Sequence, residues 1–279
     1  MIIWLASYPK SGNTFLRSLL SSYFFTNDGV FNFEVLNTIK QFPHYSLFKK
    51  IGVNLNDERQ VLENYVKAQE LFNKKETLQF VKTHSSLLKG FTNYKNTLGV
   101  IYVVRDPRNV VISAANHFNT TIQESVSRLL NYTNLGGNIN DAKSVNRIIT
   151  HLTTWSMHYN SWKVLNKKKR YLLIKYEDLT KNTEEVLVKV LDFIYNLNNQ
   201  KYVLDKFKMK NILKTTSFKY VQQLEKEKNF PEKAKHGDKE EKTFFKYGPK
   251  ENRKEILSND LKEKIEGQLK NEMIELGYL

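Results

Sequence analysis

The chain has no cysteine among its 279 residues, which excludes disulfide staples, thiolate metal sites and cysteine nucleophiles. Nothing in it asks for an oxidising compartment, so the cytoplasm is the expected location. Long apolar runs are missing too. The N-terminus, MIIWLASYPKSG, has no basic leader, and no later stretch is long enough to span a bilayer, so neither export nor a membrane span is expected. Proline and glycine are scarce, 5 and 11 residues, which sets aside collagen-like and linker-like classes. Acidic residues are outnumbered, 29 against 44 basic ones, giving a formal charge of +15. Such a field concentrates anions near the surface. Lysine and asparagine are nevertheless spread along the whole chain, as a compositional bias would spread them. No nucleic-acid-binding motif accompanies them, so no nucleic-acid partner is expected.

What is present is ample material for a core: 40% hydrophobic and 13% aromatic residues, well above a disordered composition. A chain of this size can bury a sizeable core as one unit. With no internal repeat and no composition shift, a single domain over residues 1–279 is expected.

The apolar pattern alternates between two grammars. Ile2 to Tyr8 is a short apolar run ending in a turn signal, and Phe15, Leu16, Leu19, Leu20 and Tyr23 then recur at helical spacing. Leu98 to Val104 is a β-rich run suited to a strand buried on both faces. Asp106 suits a helix N-cap there and Pro107 the first helical position, with Val110, Val111, Ala114, Ala115 and Phe118 on the buried face. Leu78 to Thr83 and Tyr171 to Tyr176 are further strands. Helical stretches between strands argue for crossover connections and a mainly parallel sheet, hence an α/β fold. Val145, Ile148, Ile149, Leu152, Trp155, Tyr159 and Trp162 predict one long helix carrying His151 and His158, two turns apart and thus no metal pair. Glu225 to Lys242 is dense in charge and reads as a loop or lid, and Ile256 to Leu279 as a terminal helix.

Two segments carry chemistry. Tyr8-Pro9-Lys10-Ser11-Gly12-Asn13-Thr14 lies between the first strand and first helix, where backbone N–H groups and the helix dipole favour an anion. Gly12 permits close approach of a ligand, Lys10 supplies charge, and the Ser11 and Thr14 hydroxyls can donate. The usual nucleoside-triphosphate loop places a glycine before its Gly-Lys-[Ser/Thr] end; here lysine precedes glycine, and the short loop suits one 5′-phosphate group. In the second segment, VIYVVRDPRNVVISAANHF, Arg105 closes a strand where α/β proteins bind ligands, and its guanidinium can grip a phosphate. An Arg105–Asp106 ion pair, or a magnesium-binding Asp106, are the rival readings of that strand end.

YPKSGNTF followed by VVRDPRNVVIS resembles the two signatures by which cytosolic-type sulfotransferases bind 3′-phosphoadenosine-5′-phosphosulfate (PAPS). Lys82, Thr83 and His84 after a strand, Tyr176 within IKYEDL, the triplet Thr216, Ser217 and Phe218, and FFKYG extend the likeness in family order over nearly the whole chain. The resemblance implies a P-loop-like three-layer fold with a mainly parallel central sheet flanked by helices. It also implies an enzyme that moves a sulfuryl group from PAPS to a hydroxyl or amine of a small-molecule or carbohydrate acceptor, releasing PAP and using no metal. By this likeness Lys10, Ser11, Gly12, Asn13 and Thr14 hold the 5′-phosphosulfate end and Arg105 and Ser113 the 3′-phosphate. Phe15, Tyr176, Thr216, Ser217 and Phe218 complete the nucleotide pocket, with Lys246, Tyr247 and Gly248 near the C-terminus. His84 matches the general base, with Lys82 and Lys10 supplying positive charge.

The chain departs from the pattern in three places. Asn13, Thr14 and Phe15 stand where the family has Thr-Thr-Trp, and Lys246, Tyr247 and Gly248 where it has Arg-Lys-Gly, with Arg253 a substitute cation. Pro249 to Asn252 replace the glycine and tryptophan beyond. A P-loop kinase is the alternative, one that would demand magnesium carboxylates. Segments Thr26 to Lys50 and Asn119 to Lys143 are the expected acceptor walls, and the sequence sets no oligomeric state.

Overall fold

The structure is a computed structural model and describes residues 1–73, 77–136, 148–228, 230, 243–245, 248 and 254–279. The chain begins β1 (Ile2–Ser7), α1 (Asn13–Phe25), α2 (Phe33–Leu36), β2 (Lys40–Gln41), α3 (Tyr45–Lys50), α4 (Glu58–Glu63) and α5 (Tyr65–Glu70). It continues with β3 (Gln79–Thr83), β4 (Thr97–Val104), α6 (Pro107–Phe118), α7 (Ile122–Leu130), β5 (Asn134–Leu135), β6 (Thr150–His151) and α8 (Trp155–Lys163). After β7 (Tyr171–Lys175) come α9 (Tyr176–Lys181), α10 (Thr183–Leu197), α11 (Lys206–Thr215), α12 (Phe218–Glu227), α13 (Asn259–Gln268) and α14 (Lys270–Glu275).

Five strands form one sheet in the order β2-β3-β1-β4-β7. β1 runs parallel to both β3 and β4, and β2 parallel to β3. Each residue of β1 is buried, which a strand needs when both its faces are covered and which explains its unbroken apolar run. The fold is therefore α/β with a mainly parallel central sheet.

The chain divides into two compact units. The first takes Met1–Tyr8, Ile39–Val103 and Asn131–Leu173; the second takes Pro9–Thr38, Val104–Leu130 and Ile174–Leu279. In the first, Trp4 of β1 meets Phe42 and Trp162 edge-on or tilted, each with ring centroids 6.1 Å away. Phe42 also meets Tyr65 of α5 at 4.9 Å. The polar ends of these rings are satisfied, as burial requires: Trp4 Nε1 donates to Thr97 Oγ1 at 2.9 Å and Trp162 Nε1 to the Ser85 carbonyl at 3.0 Å. In the second unit Phe31, Phe33, Leu36, Val221, Leu224 and Phe230 form a buried cluster against which Tyr220, Phe244 and Phe245 pack.

Three expectations are corrected. The single long helix ending at Trp162 starts only at Trp155; among its earlier described residues, Thr150 and His151 form β6, paired antiparallel with β5. The cause is local: Thr153 sits at φ 62°, and the Thr154 hydroxyl caps α8 by accepting from Met157 N–H at 3.0 Å, a pattern that starts a helix. His151 and His158 are thus on different elements. Second, Glu225 does not open a loop. It lies buried on α12 and accepts from the backbone N–H groups of Phe244 and Phe245 at 2.6 and 2.9 Å. Residues 231–242 of the expected lid lie outside the described residues. Third, the terminal helix is broken at Leu269 into α13 and α14, and Ile256 belongs to a short 3₁₀ turn, exposed rather than buried. Among the described residues no helix is long and apolar enough to cross a membrane.

Candidate functional site

β1 ends at Ser7, and the chain passes from the first unit to the second between Tyr8 and Pro9. The loop then curls through two residues with positive φ, Lys10 at 67° and Gly12 at 104°. Gly12 is the N-cap of α1, so the helix starts at Asn13, a little before the apolar periodicity begins. Only glycine suits this cap: its φ is left-handed, and a Cβ there would run into the ring of Tyr176. The α1 N-terminus carries no side-chain cap and no acidic residue in its first turn. Ser11 Oγ is buried with no hydrogen-bond partner. Lys10 Nζ lies 4.0 Å from the centroid of the Phe244 ring.

Arg105 directly follows β4 and, like the loop of Lys10 and Gly12, belongs to the second unit. Its Nη1 donates to the Lys10 carbonyl at 3.2 Å and its guanidinium covers the Tyr176 ring at 4.4 Å. Burial raises the Tyr176 hydroxyl above its ordinary pKa, and the neighbouring Arg105 charge opposes that. The Arg105–Asp106 pair does not form. Asp106 caps α6 by accepting from Arg108 N–H at 2.9 Å, and both its oxygens are taken by the Arg108 side chain at 2.7 to 3.2 Å. Arg108 reaches further, to Glu266 at 2.6 Å and the Tyr278 carbonyl at 2.9 Å. These bonds, Asp106 first, raise its pKa despite burial. Asp106 is therefore a structural carboxylate, which also answers the magnesium reading of it.

Lys10, Gly12, Arg105 and Tyr176 thus come together. Asn13 is buried and Thr14 and Phe15 are partly buried on the first turn of α1, and Ser113 is partly buried on α6. Thr216 and Ser217 stand at the junction of α11 and α12, their hydroxyls donating to the carbonyls of Ile212 and Lys214 at 2.7 and 2.8 Å. Phe218 opens α12. Gly248 is partly buried. Lys246, Tyr247 and Arg253 lie outside the described residues.

In the first unit, Lys82 is buried in β3, in register with Leu5. His84 follows the strand directly. Its Nδ1 lies 2.8 Å from the Ser7 carbonyl and 3.4 Å from Ser7 Oγ. A carbonyl can only accept, so Nδ1 carries the proton and, in the neutral ring, the lone pair is on Nε2. Sequence reasoning missed the residues that hold His84, Ser7 and His158 of α8, and Trp162 of α8, which donates to the carbonyl of the next residue, Ser85. The spacing of His158 and Trp162, one helical turn apart, puts them on one helix face, but nothing in the sequence ties that face to position 84. Among the described residues no group of three or more His, Asp or Glu side chains is gathered as a metal ion would require.

The sulfotransferase domain family matches residues 2–277, and the chain belongs to that family; it is a sulfotransferase. It is 25% identical over 272 residues to the luciferin sulfotransferase of Photinus pyralis, covering 93% of this chain and 68% of that one. It is 24% identical over 194 residues to the amine sulfotransferase of Oryctolagus cuniculus, covering 69% and 55%. Among solved structures, mouse sulfotransferase SULT7A1 complexed with PAP superposes with a TM-score of 0.61 at 17% identity, over 98% of this chain and 84% of that one. Retinol dehydratase in complex with retinol and PAP gives 0.62 at 17% identity, over 98% and 81%. These likenesses establish the P-loop-like fold.

Proposed function

We propose that the enzyme takes its sulfuryl group from PAPS and delivers it to a hydroxyl or amine of a small molecule or carbohydrate, releasing PAP. The observation that carries this reading is the start of α1: an N-terminus without a side-chain cap, beside the buried, unpartnered Ser11 Oγ. A phosphate bound there would accept from that hydroxyl and be favoured by the dipole at the helix start. Among the described residues Arg105 contacts the Lys10 carbonyl and the Tyr176 ring and pairs with no carboxylate, so its fork is suited to a second phosphate, as a 3′,5′-bisphosphate demands. The PAP bound in the solved relatives and the small acceptors for which the luciferin and amine enzymes are named support the same donor and acceptor class.

In this reading Lys10, Ser11, Gly12, Asn13 and Thr14 bind the 5′ end, Arg105 and Ser113 the 3′-phosphate, helped by Lys246, Tyr247 and Gly248. Phe15, Tyr176, Thr216, Ser217 and Phe218 surround the adenosine. PAPS supplies an activated sulfuryl group, and transfer builds negative charge on the leaving phosphate oxygen. Lys10 and Lys82 stabilise that charge, and His84 takes the acceptor proton on Nε2. Neither metal nor nucleic acid takes part, residues 1–279 are proposed as a single sulfotransferase domain, and the cytoplasm is the proposed location.

Calorimetry and thermal shift with PAP, AMP and ATP, each with and without EDTA, test the donor site. PAP is expected to bind best and to be indifferent to EDTA; at about one hundred times its dissociation constant it adds roughly 2.7 kcal/mol of stability. Tighter binding of ATP that vanishes in EDTA would make the protein a phosphoryl-transfer enzyme instead. Radiolabelled transfer from PAPS to pooled hydroxyl and amine acceptors then reads the acceptor class.

A further inference from the structure

The backbone that carries His84 is held by a buried chain of hydrogen bonds inside the first unit. His158, on α8 and fully buried, places Nε2 3.1 Å from the His84 carbonyl and Nδ1 2.8 Å from the Tyr102 hydroxyl. The carbonyl can only accept, so Nε2 carries hydrogen; Nδ1 then accepts from Tyr102. The Tyr102 oxygen in turn receives a backbone hydrogen bond from Tyr8, the last residue before the curled loop. One tautomer of each partner satisfies every link, so the chain has a single direction: Tyr8 N–H to Tyr102, Tyr102 to His158, His158 to the His84 carbonyl. One turn further along α8, Trp162 donates to the next carbonyl, that of Ser85, at 3.0 Å. Two side chains on one face of a helix thus fix two successive peptide groups, while the His84 ring is fixed at its other side by the Ser7 carbonyl.

We propose that His158 is a positioning residue for the sulfuryl-transfer reaction: by donating to the His84 carbonyl it fixes the backbone from which the His84 ring is aimed, and so the direction of the Nε2 lone pair. This rests on the reading of His84 as the base. A positioned base loses most of its advantage when its support loosens by fractions of an ångström. The relay needs a neutral His158, and burial holds its pKa at about 4, below the ordinary value, partly offset by the bond to the His84 carbonyl. The ring therefore keeps its roles through the neutral pH range. The Tyr8 ring packs edge-on against it, with ring centroids 5.7 Å apart.

The test uses the full chain with ¹⁵N-labelled histidine, comparing wild type with His158→Phe, His158→Gln and Tyr102→Phe. Long-range ¹⁵N–¹H spectra report the His84 tautomer without any acceptor, and PAP calorimetry reports the nucleotide site. Wild-type His84 is expected as a single Nδ1–H tautomer. In His158→Phe those signals shift and average, and single-turnover transfer with the acceptor found in the pooled assay falls about tenfold while PAP affinity stays within about twofold. His158→Gln, whose amide can donate to the His84 carbonyl and accept from Tyr102, recovers transfer to within about threefold of wild type. Should His158→Phe fail to fold, Tyr102→Phe removes one hydroxyl only and shifts His84 in the same direction by less. Unchanged His84 signals in the folded variants would overturn the proposal, as would a loss of PAP affinity parallel to the loss of transfer. A wild type that binds no PAP yet shows the relay would instead overturn the donor assignment.

Discussion

The helices α1 and α6 follow two neighbouring parallel strands by the same strand-loop-helix grammar, yet their N-termini are finished in opposite ways. Asp106 caps α6 from within, and its charge is met by Arg108, which also binds Glu266 and the Tyr278 carbonyl. At α1 the cap is Gly12, which has no side chain to offer, and the serine beside it points a buried hydroxyl at nothing. A helix start that the protein closes itself is architecture, whereas one without a side-chain cap, beside a buried hydroxyl that has no hydrogen-bond partner, suits a ligand. Arg105 and Arg108 both flank Asp106-Pro107 in sequence, yet Arg105 contacts Lys10 and Tyr176 at the α1 start while Arg108 closes the start of α6.

The largest expected effect is at the closed end. Asp106→Ala removes the cap and one of the two carboxylates that meet the Arg108 charge, which is only about 5% exposed, and leaves Glu266 as the other. Losing one partner of a buried pair costs on the order of 3–5 kcal/mol, and with Glu266 in place the loss expected in chemical denaturation is near the lower end of that range. The fraction that remains folded is expected to bind PAP nearly as wild type does. A loss of PAP binding without a loss of stability would erase the distinction between the two helix starts.

Next in size is Arg105→Ala, which tests the open end. Its guanidinium makes one backbone hydrogen bond, to Lys10, and one ring contact, to Tyr176, so truncation is expected to leave stability within about 1 kcal/mol, the worth of an ordinary net hydrogen bond. A charge-assisted phosphate contact is worth roughly 1.5–3 kcal/mol, or about 10- to 150-fold in PAP affinity. AMP, which lacks the 3′-phosphate, is expected to lose much less. Calorimetry with both nucleotides separates the outcomes, and equal losses would detach Arg105 from the 3′ end.

The strands and the two helix starts were legible because each is encoded locally. An unbroken apolar run reads as a buried parallel strand, and Asp106-Pro107 reads as a cap and first turn; β1, β4 and α6 follow within a residue or two. The segment from Ile148 to Leu152 misled because its apolar steps of three and four also fit a short strand joined to a helix. The decisive signal was the β-branched pair Thr153 and Thr154, which places the cap at Thr154. Glu225 was read by its charge as solvated, but its environment is set by Phe244 and Phe245 from a distant part of the chain. The relay through Tyr102 and His158 was illegible for the same reason. Nothing in the sequence states that positions 84, 102 and 158 meet, whereas the residues of the α1 loop are contiguous and could be read together.

The smallest effect sharpens the comparison most, because it concerns one atom. Ser11 Oγ is buried and without a hydrogen-bond partner, so Ser11→Ala removes a polar atom whose desolvation is uncompensated in the unliganded protein. Unlike the Asp106 substitution, it breaks no internal bond, and the expected stability is unchanged or higher by a few tenths of a kcal/mol, inside the ordinary spread for mild substitutions. If the hydroxyl donates to a bound phosphate, PAP affinity falls by about 1 kcal/mol or somewhat more, roughly five- to tenfold. Thermal unfolding with and without saturating PAP reads both numbers on one sample: the unliganded midpoint stays or rises while the PAP-induced shift shrinks. A Ser11→Ala protein that is destabilised and binds PAP normally would mean that the hydroxyl serves the fold. The α1 start would then be as self-sufficient as that of α6.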